Sequence, residues 1–158
     1  MRLVVKNKEE GTELFKGAVD NTQYRTACAR YNKALTHAVK FHDISPQQKE
    51  EVDAVKLSLH LNIAMCWLKI TDAQNNLEQA IRSCDEALAL DDKCVKALFR
   101  RATAREQKGL YDEAKADLKQ CEALAPDDKA VPKLMARVEA QIKRQKDKEK
   151  KVYGRMFG

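Results

Sequence analysis

Two cations one helical turn apart mark the stretch of this chain most suited to chemistry. Lys96 and Arg100 are four residues apart within the stretch 96–102. On a helix, side chains at this spacing lie on one face, one turn above the other, and like charges so placed repel slightly. Such a pair is usually a solvated surface. It can also receive an anion, and Lys and Arg bind carboxylates by charge-assisted hydrogen bonds.

The composition of the chain limits which secondary-structure elements can position these side chains. The chain has 158 residues, of which 44% are hydrophobic and 34% charged, with only 5 Gly and 3 Pro. This length suits one domain, and this composition is typical of a helix-rich protein and argues against a multi-stranded sheet with many turns. The 5 Cys show no metal-ligand spacing, so we expect reduced thiols, no metal or other cofactor, and a cytoplasmic or nuclear location. No apolar run approaches a membrane span, so we expect no membrane partner.

Most of the net charge lies near the carboxyl end. Between residues 143 and 151 there are six basic and two acidic side chains, which supply +4 of the net +6. The remainder is nearly balanced, so we expect no nucleic acid among the partners. This segment belongs to a basic helical tail, whose apolar residues are Ile142 just before the segment and Val152, Met156 and Phe157 after it. It could also be a solvated extension of the preceding helix, or bind calmodulin or another acidic surface.

Small and apolar residues recur at two fixed separations. The matching pairs at a shift of 34 are Ala80 with Ala114, Cys84 with Leu118, and Ala87 with Cys121. The pairs at a shift of 53 are Gly11 with Ala64, Ala27 with Ala80, and Ala34 with Ala87. The pattern resembles the tetratricopeptide repeat family, whose helix-turn-helix unit has a period of 34. The resemblance implies an all-α fold, with three such repeats in a right-handed superhelix followed by a long C-terminal capping helix.

Helix signals set the expected boundaries. Ser45, Pro46 and Gln48 predict a helix start with a capping box, and Gly109 predicts a helix end. The expected repeats span about 3–42, 46–92 and 95–128, with the capping helix from 129. We therefore predict a repeat domain over 1–142 and a charged helical extension and tail over 143–158.

The repeat architecture implies which side chains face the binding groove, because the first helix of each pair lines the concave surface. These positions resemble the dicarboxylate clamp of tetratricopeptide co-chaperones, which holds the C-terminal Met-Glu-Glu-Val-Asp of the ninety-kilodalton heat-shock chaperone. The expected clamp residues are Lys8, Thr12, Asn62, Lys96 and Arg100. Thr12 falls where Asn is commonest in the family, and its hydroxyl lacks the amide donor that Asn would offer there.

The stretches 61–66 and 96–101 and the tail 146–157 resemble the large immunophilins, namely the forty-kilodalton cyclophilin and the FK-binding members. The resemblance implies a parent peptidyl-prolyl isomerase, of which this chain would be the C-terminal part. The alternative is a scaffold for the seventy-kilodalton chaperone or another acidic partner, with a calmodulin-binding tail. Seven helices use up the chain, which has only 3 His and no nucleophile with a paired base, so we expect no enzyme activity in it.

Overall fold

A computed structural model describes residues 1–158 as seven α-helices without a strand. The predicted all-α fold is therefore confirmed. The helices are α1 (Arg2–Lys16), α2 (Asn21–Ala38), α3 (Pro46–Lys69), α4 (Asn76–Leu90), α5 (Val95–Lys108), α6 (Tyr111–Leu124) and α7 (Ala130–Phe157). Each helix packs mainly against its neighbours in the chain, which gives three helix pairs and a final helix.

The helix start predicted at Ser45 and the helix end predicted at Gly109 are both present in the structure. The Ser45 hydroxyl accepts a hydrogen bond from the backbone N–H of Gln48 at 3.3 Å, and the Gln48 side chain accepts one from the Ser45 N–H at 3.0 Å. This capping box satisfies two N–H groups that the first turn of α3 leaves unpaired. Gly109 ends α5 at φ +84°, a left-handed conformation that a residue without Cβ adopts at little cost.

Small residues allow the two helices of a pair to approach closely. A Cβ placed on Gly11 of α1 would lie only 2.9 Å from the ring of Tyr31 on α2. Ala27 and Ala34, also on α2, are fully buried. The small residues that define the repeat in the sequence are therefore contact points between helices.

The apolar core forms two clusters with small side chains between them. Core cluster one contains Val4, Ala27, Cys28, Tyr31, Ala34, Ala38, Leu59, Ile63 and Cys66, from α1, α2 and α3. Core cluster two contains Leu98, Ala102, Ala114, Leu118, Cys121, Val131, Leu134 and Val138, from α5, α6 and α7. The buried residues of α4, which lies between the clusters, are Ala80, Ser83, Cys84 and Ala87.

A buried carboxylate joins the helices of the third pair. Asp117 on α6 is 2% exposed and accepts hydrogen bonds from Arg101 at 3.0 and 2.7 Å and from Arg105 at 2.6 Å. Arg101 also pairs with Asp85 of α4 at 2.7 Å. Hydrogen bonds to Asp117 raise the pKa of Arg101. Both arginines therefore serve the fold, since a buried charge needs its partners.

The last helix continues well beyond the repeats. Val131, Leu134 and Val138 bury the first half of α7 against core cluster two. The second half is exposed from residue 143 to its end, and the helix is unbroken to Phe157. None of the seven helices combines the length and the apolar character that crossing a membrane requires.

Candidate functional site

An inner cavity of about 350 Å³ opens between the first and second repeats. Its lining consists of Phe15, Tyr31, Asn62, Met65, Lys69 and Arg100. The two aromatic residues come from α1 and α2, the next three from α3, and Arg100 from α5. Two of the five predicted clamp residues, Asn62 and Arg100, therefore lie at one cavity.

An outer cavity of about 410 Å³ adjoins the inner one and shares Met65, Lys69 and Arg100 with it. Its other lining residues are Leu68, Val95, Lys96, Phe99, Thr103, Gln107 and Asp128. The structure thus brings Lys96, a third predicted clamp residue, to the same surface as Arg100. Together the cavities form a groove with an apolar floor and a cationic rim.

Arg100 holds its position through a backbone contact. Its Nη1 donates a hydrogen bond of 2.6 Å to the carbonyl oxygen of Leu61, which links α5 to α3. The side chain is half-buried, and burial lowers the pKa of Arg100. No carboxylate lies within ion-pair distance of this guanidinium. Its neighbour Arg101 faces the other way, toward Asp117.

The lysines of the groove are also unpaired. Lys69 and Lys96 are exposed, and neither forms an ion pair. By contrast, Lys108 and Lys115, which lie outside the groove, pair with carboxylates at 2.7 and 2.8 Å. The groove therefore concentrates positive charge that no ion pair within the chain neutralises.

Thr12 and Lys8 stand apart from the other predicted residues. The Thr12 hydroxyl donates to the Lys8 carbonyl oxygen at 2.9 Å and accepts from the Tyr31 hydroxyl at 3.2 Å. Its only proton is therefore used within the protein, and it reaches the inner cavity only through Tyr31. Lys8 lies one turn earlier on α1 and lines neither cavity.

Comparison with known proteins places the repeats in a family. Residues 95–128 match the family model described as "Tetratricopeptide repeat". The fold matches the C-terminal TPR-containing domain of a putative FK506-binding protein of Plasmodium falciparum with a TM-score of 0.79, covering 92% of each chain at 24% identity. Residues 95–128 are therefore a tetratricopeptide repeat, and the whole chain has the fold of a tetratricopeptide repeat domain.

This tetratricopeptide domain also resembles part of a longer curated protein. It is 35% identical over 150 residues to the peptidyl-prolyl cis-trans isomerase FKBP4 of Mus musculus, covering 95% of this chain. It spans 31% of that relative's length, about a third. The second TPR domain of human RPAP3, solved with the HSP70 peptide SGPTIEEVD, is 26% identical with a TM-score of 0.67, covering 87% of this chain and 96% of that one.

One cation that lines the groove was not predicted from the sequence. Lys69 lines both cavities, yet it was not among the expected clamp residues. Its signal was present, because Lys69 follows Asn62 by seven residues, which is two helical turns on one face. Asp128 was missed for another reason: it follows α6, and only the packing of α6 on α5 brings it to the outer cavity.

Proposed function

We propose that this domain captures the acidic C-terminus of a chaperone in the groove formed by the inner and outer cavities. Arg100, Lys96 and Lys69 bind the terminal and side-chain carboxylates through charge-assisted hydrogen bonds, which are stronger than neutral ones. Asn62 binds the peptide backbone or a carboxylate through its amide. Met65 and Phe99 supply apolar contact for the neighbouring side chains of the peptide.

The observation that carries this proposal is the state of Arg100. The guanidinium is half-buried, is bonded to the Leu61 carbonyl oxygen, and has no carboxylate within ion-pair distance. A partly desolvated charge without a counter-ion is costly, so a ligand that brings a carboxylate recovers free energy there. The adjacent lysines extend this preference along the groove, since a peptide terminus and an acidic side chain present several carboxylates.

We propose the C-terminal Met-Glu-Glu-Val-Asp of the ninety-kilodalton heat-shock chaperone as the ligand. The resemblance of residues 61–66 and 96–101 to the large immunophilins supports this choice, as does the identity to FKBP4. The second candidate is the C-terminus of the seventy-kilodalton chaperone. The likeness to the RPAP3 domain solved with the peptide SGPTIEEVD favours it, and both ligands end in Glu-Glu-Val-Asp.

Calorimetry with synthetic peptides tests the clamp. We expect Met-Glu-Glu-Val-Asp to bind with a dissociation constant on the order of 1 μM, which is about −8 kcal/mol. Its C-terminal amide should bind at least tenfold more weakly, because one carboxylate is lost. Equal affinity for the acid and the amide would rule out a dicarboxylate clamp.

A matched pair of variants locates the site. Lys96→Ala should weaken binding of the acid peptide about tenfold, whereas Lys33→Ala should leave it unchanged. Lys33 is an exposed, unpaired lysine of α2 that lines neither cavity, so both variants remove the same charge. A similar loss in both variants would point to general charge attraction instead of a clamp.

We further propose that the domain is the C-terminal part of an immunophilin-type peptidyl-prolyl isomerase of the cytoplasm or nucleus. Support comes from the resemblance of the tail 146–157 and from the relative of which this chain spans 31%. An antibody against the domain should detect, in fractionated cells, a protein roughly three times its 18.0 kDa in the soluble or nuclear fraction. A single band at the domain's own mass would contradict the proposal.

The end of α7 favours a second, separate binding role. Val152, Tyr153, Met156 and Phe157 are 55–71% exposed, and basic residues precede them on the same helix. A basic amphipathic helix suits calmodulin, so we propose calcium-dependent binding there. Replacing Met156 and Phe157 by Ser should abolish it, while Val19→Ser, at an apolar side chain 85% exposed, should not. Binding that survives without calcium, or in both variants, would refute this role.

A further inference from the structure

Asp128 is the one acidic residue among the side chains that line the outer cavity, where Lys69, Lys96 and Arg100 supply the positive charge. Its Oδ1 accepts a hydrogen bond of 2.9 Å from the backbone N–H of Ala130, which fixes the carboxylate at the start of α7. No cation lies within ion-pair distance of it. The groove therefore holds an unpaired anion beside its unpaired cations.

The packing of α6 on α5 tells where in the groove this anion lies. The Cys121 thiol, near the end of α6, donates to the carbonyl oxygen of Val95 at 3.8 Å, so the end of α6 is beside the start of α5. Asp128 follows a few residues later and shares the cavity with Val95, whereas Gln107 lines it from the last turn of α5. Val95 and Gln107 are twelve positions apart on α5, which corresponds to a rise of roughly 18 Å along the helix axis.

This charge distribution distinguishes two kinds of acidic peptide. A peptide whose only charges are carboxylates is attracted by the three cations and repelled by Asp128. A peptide that also carries a basic residue near its acidic end satisfies both signs. A single pair of partly exposed charges changes affinity by about two- to fivefold, and salt weakens the effect.

We infer that Asp128 is a specificity-determining residue, which favours acidic C-terminal peptides that carry an Arg or Lys upstream of the acidic end. This inference rests on the proposed function, because it concerns the same groove. It adds a criterion by which the domain chooses among chaperone tails that share the ending Glu-Glu-Val-Asp. The spacing of the basic residue from the terminus decides the choice, since Asp128 occupies one fixed place along the cavity.

An arginine scan tests the inference. The probes are peptides of Ala-Ala-Ala-Glu-Glu-Val-Asp and its three variants with one Arg in place of each Ala. Calorimetry at low salt compares the wild-type domain with Asp128→Asn, which keeps an acceptor for the Ala130 N–H. The control is Asp127→Asn, because Asp127 is an exposed neighbour of the same charge that does not line the cavity.

For one position of Arg, the wild type and Asp127→Asn should bind the Arg peptide two- to fivefold more tightly than the all-Ala peptide. In Asp128→Asn this ratio should fall to about one, and the all-Ala peptide should bind about twofold more tightly than to the wild type. Equal ratios in wild type and Asp128→Asn overturn the role of Asp128 while leaving the clamp standing. If none of the peptides binds any of the proteins, the proposed function fails, and the inference fails with it.

Discussion

Two adjacent arginines should separate stability from ligand binding. Arg101→Ala removes hydrogen bonds of 3.0 and 2.7 Å to Asp117 and one of 2.7 Å to Asp85. Asp117, 2% exposed, then keeps only Arg105 at 2.6 Å. Removing one partner of a buried ion pair costs about 3–5 kcal/mol. Since Arg105 remains, we expect a loss of about 2–3 kcal/mol in the free energy of unfolding.

Arg100→Ala should behave differently. It removes one hydrogen bond of 2.6 Å to the Leu61 carbonyl oxygen, and a hydrogen bond from a charged donor contributes about 1.5–3 kcal/mol. It also removes a half-buried cation that has no counter-ion, which offsets part of that loss. We expect the free energy of unfolding to fall by about 1 kcal/mol. Peptide affinity should fall at least tenfold, whereas Arg101→Ala should change it less than twofold.

Urea unfolding followed by far-ultraviolet circular dichroism gives the stabilities, and calorimetry with Met-Glu-Glu-Val-Asp gives the affinities. Both variants remain comparable because they delete the same side chain from neighbouring positions of α5. If Arg100→Ala costs more stability than Arg101→Ala, or if the two lose affinity equally, the division of roles between groove and fold is wrong.

Three further outcomes follow from particular side chains. Gly11→Ala should lower the free energy of unfolding by about 1–3 kcal/mol, because the new Cβ would lie 2.9 Å from the Tyr31 ring. Gly154→Ala, where nothing lies near the new Cβ, should raise it by about 0.5–1 kcal/mol. Urea unfolding measures both changes, and equal effects of the two variants would contradict the packing argument. Thr12→Asn should tighten peptide binding about two- to fivefold in calorimetry, because the Asn side-chain oxygen can accept from the Tyr31 hydroxyl while its NH₂ group remains free for the ligand. Unchanged affinity would indicate that the peptide does not contact α1. Burial lowers the pKa of His60 below its ordinary 6.5, so the unfolded chain binds more protons than the folded one, and the free energy of unfolding should fall as the pH drops below 6.5. His60→Asn should make the free energy of unfolding depend less on pH in this range. An unchanged pH dependence in this variant would show that other groups cause it.

The sequence predicted the fold well because the repeat is a local pattern. Residues 80–87 and 114–121 recur at a fixed period, and that period belongs to one helix-turn-helix unit. The cap at Ser45 and the turn at Gly109 depend on residues within a few positions, so they too are legible without a structure. Such features need no knowledge of which helices meet.

The site was predicted less completely because a groove is assembled from several helices. The resemblance to the co-chaperone clamp predicted Lys96, Arg100 and Asn62, and the structure gathers them at adjoining cavities. The involvement of the Thr12 hydroxyl with Tyr31 and the Lys8 carbonyl depends on how closely α1 and α2 approach. No spacing along the chain reveals that distance.

Because the core is divided into two clusters, the groove spans two separately packed halves of the protein. Core cluster one lies behind the inner cavity and core cluster two behind the outer one, and the buried residues of α4 between them are all small. Small side chains bury little apolar area, so the joint between the two halves depends also on polar contacts, such as those of Arg100 with Leu61 and of Arg101 with Asp85. A peptide that fills both cavities would therefore contact both halves and link them across this joint. A ligand confined to one cavity would contact only one half and would make no such link.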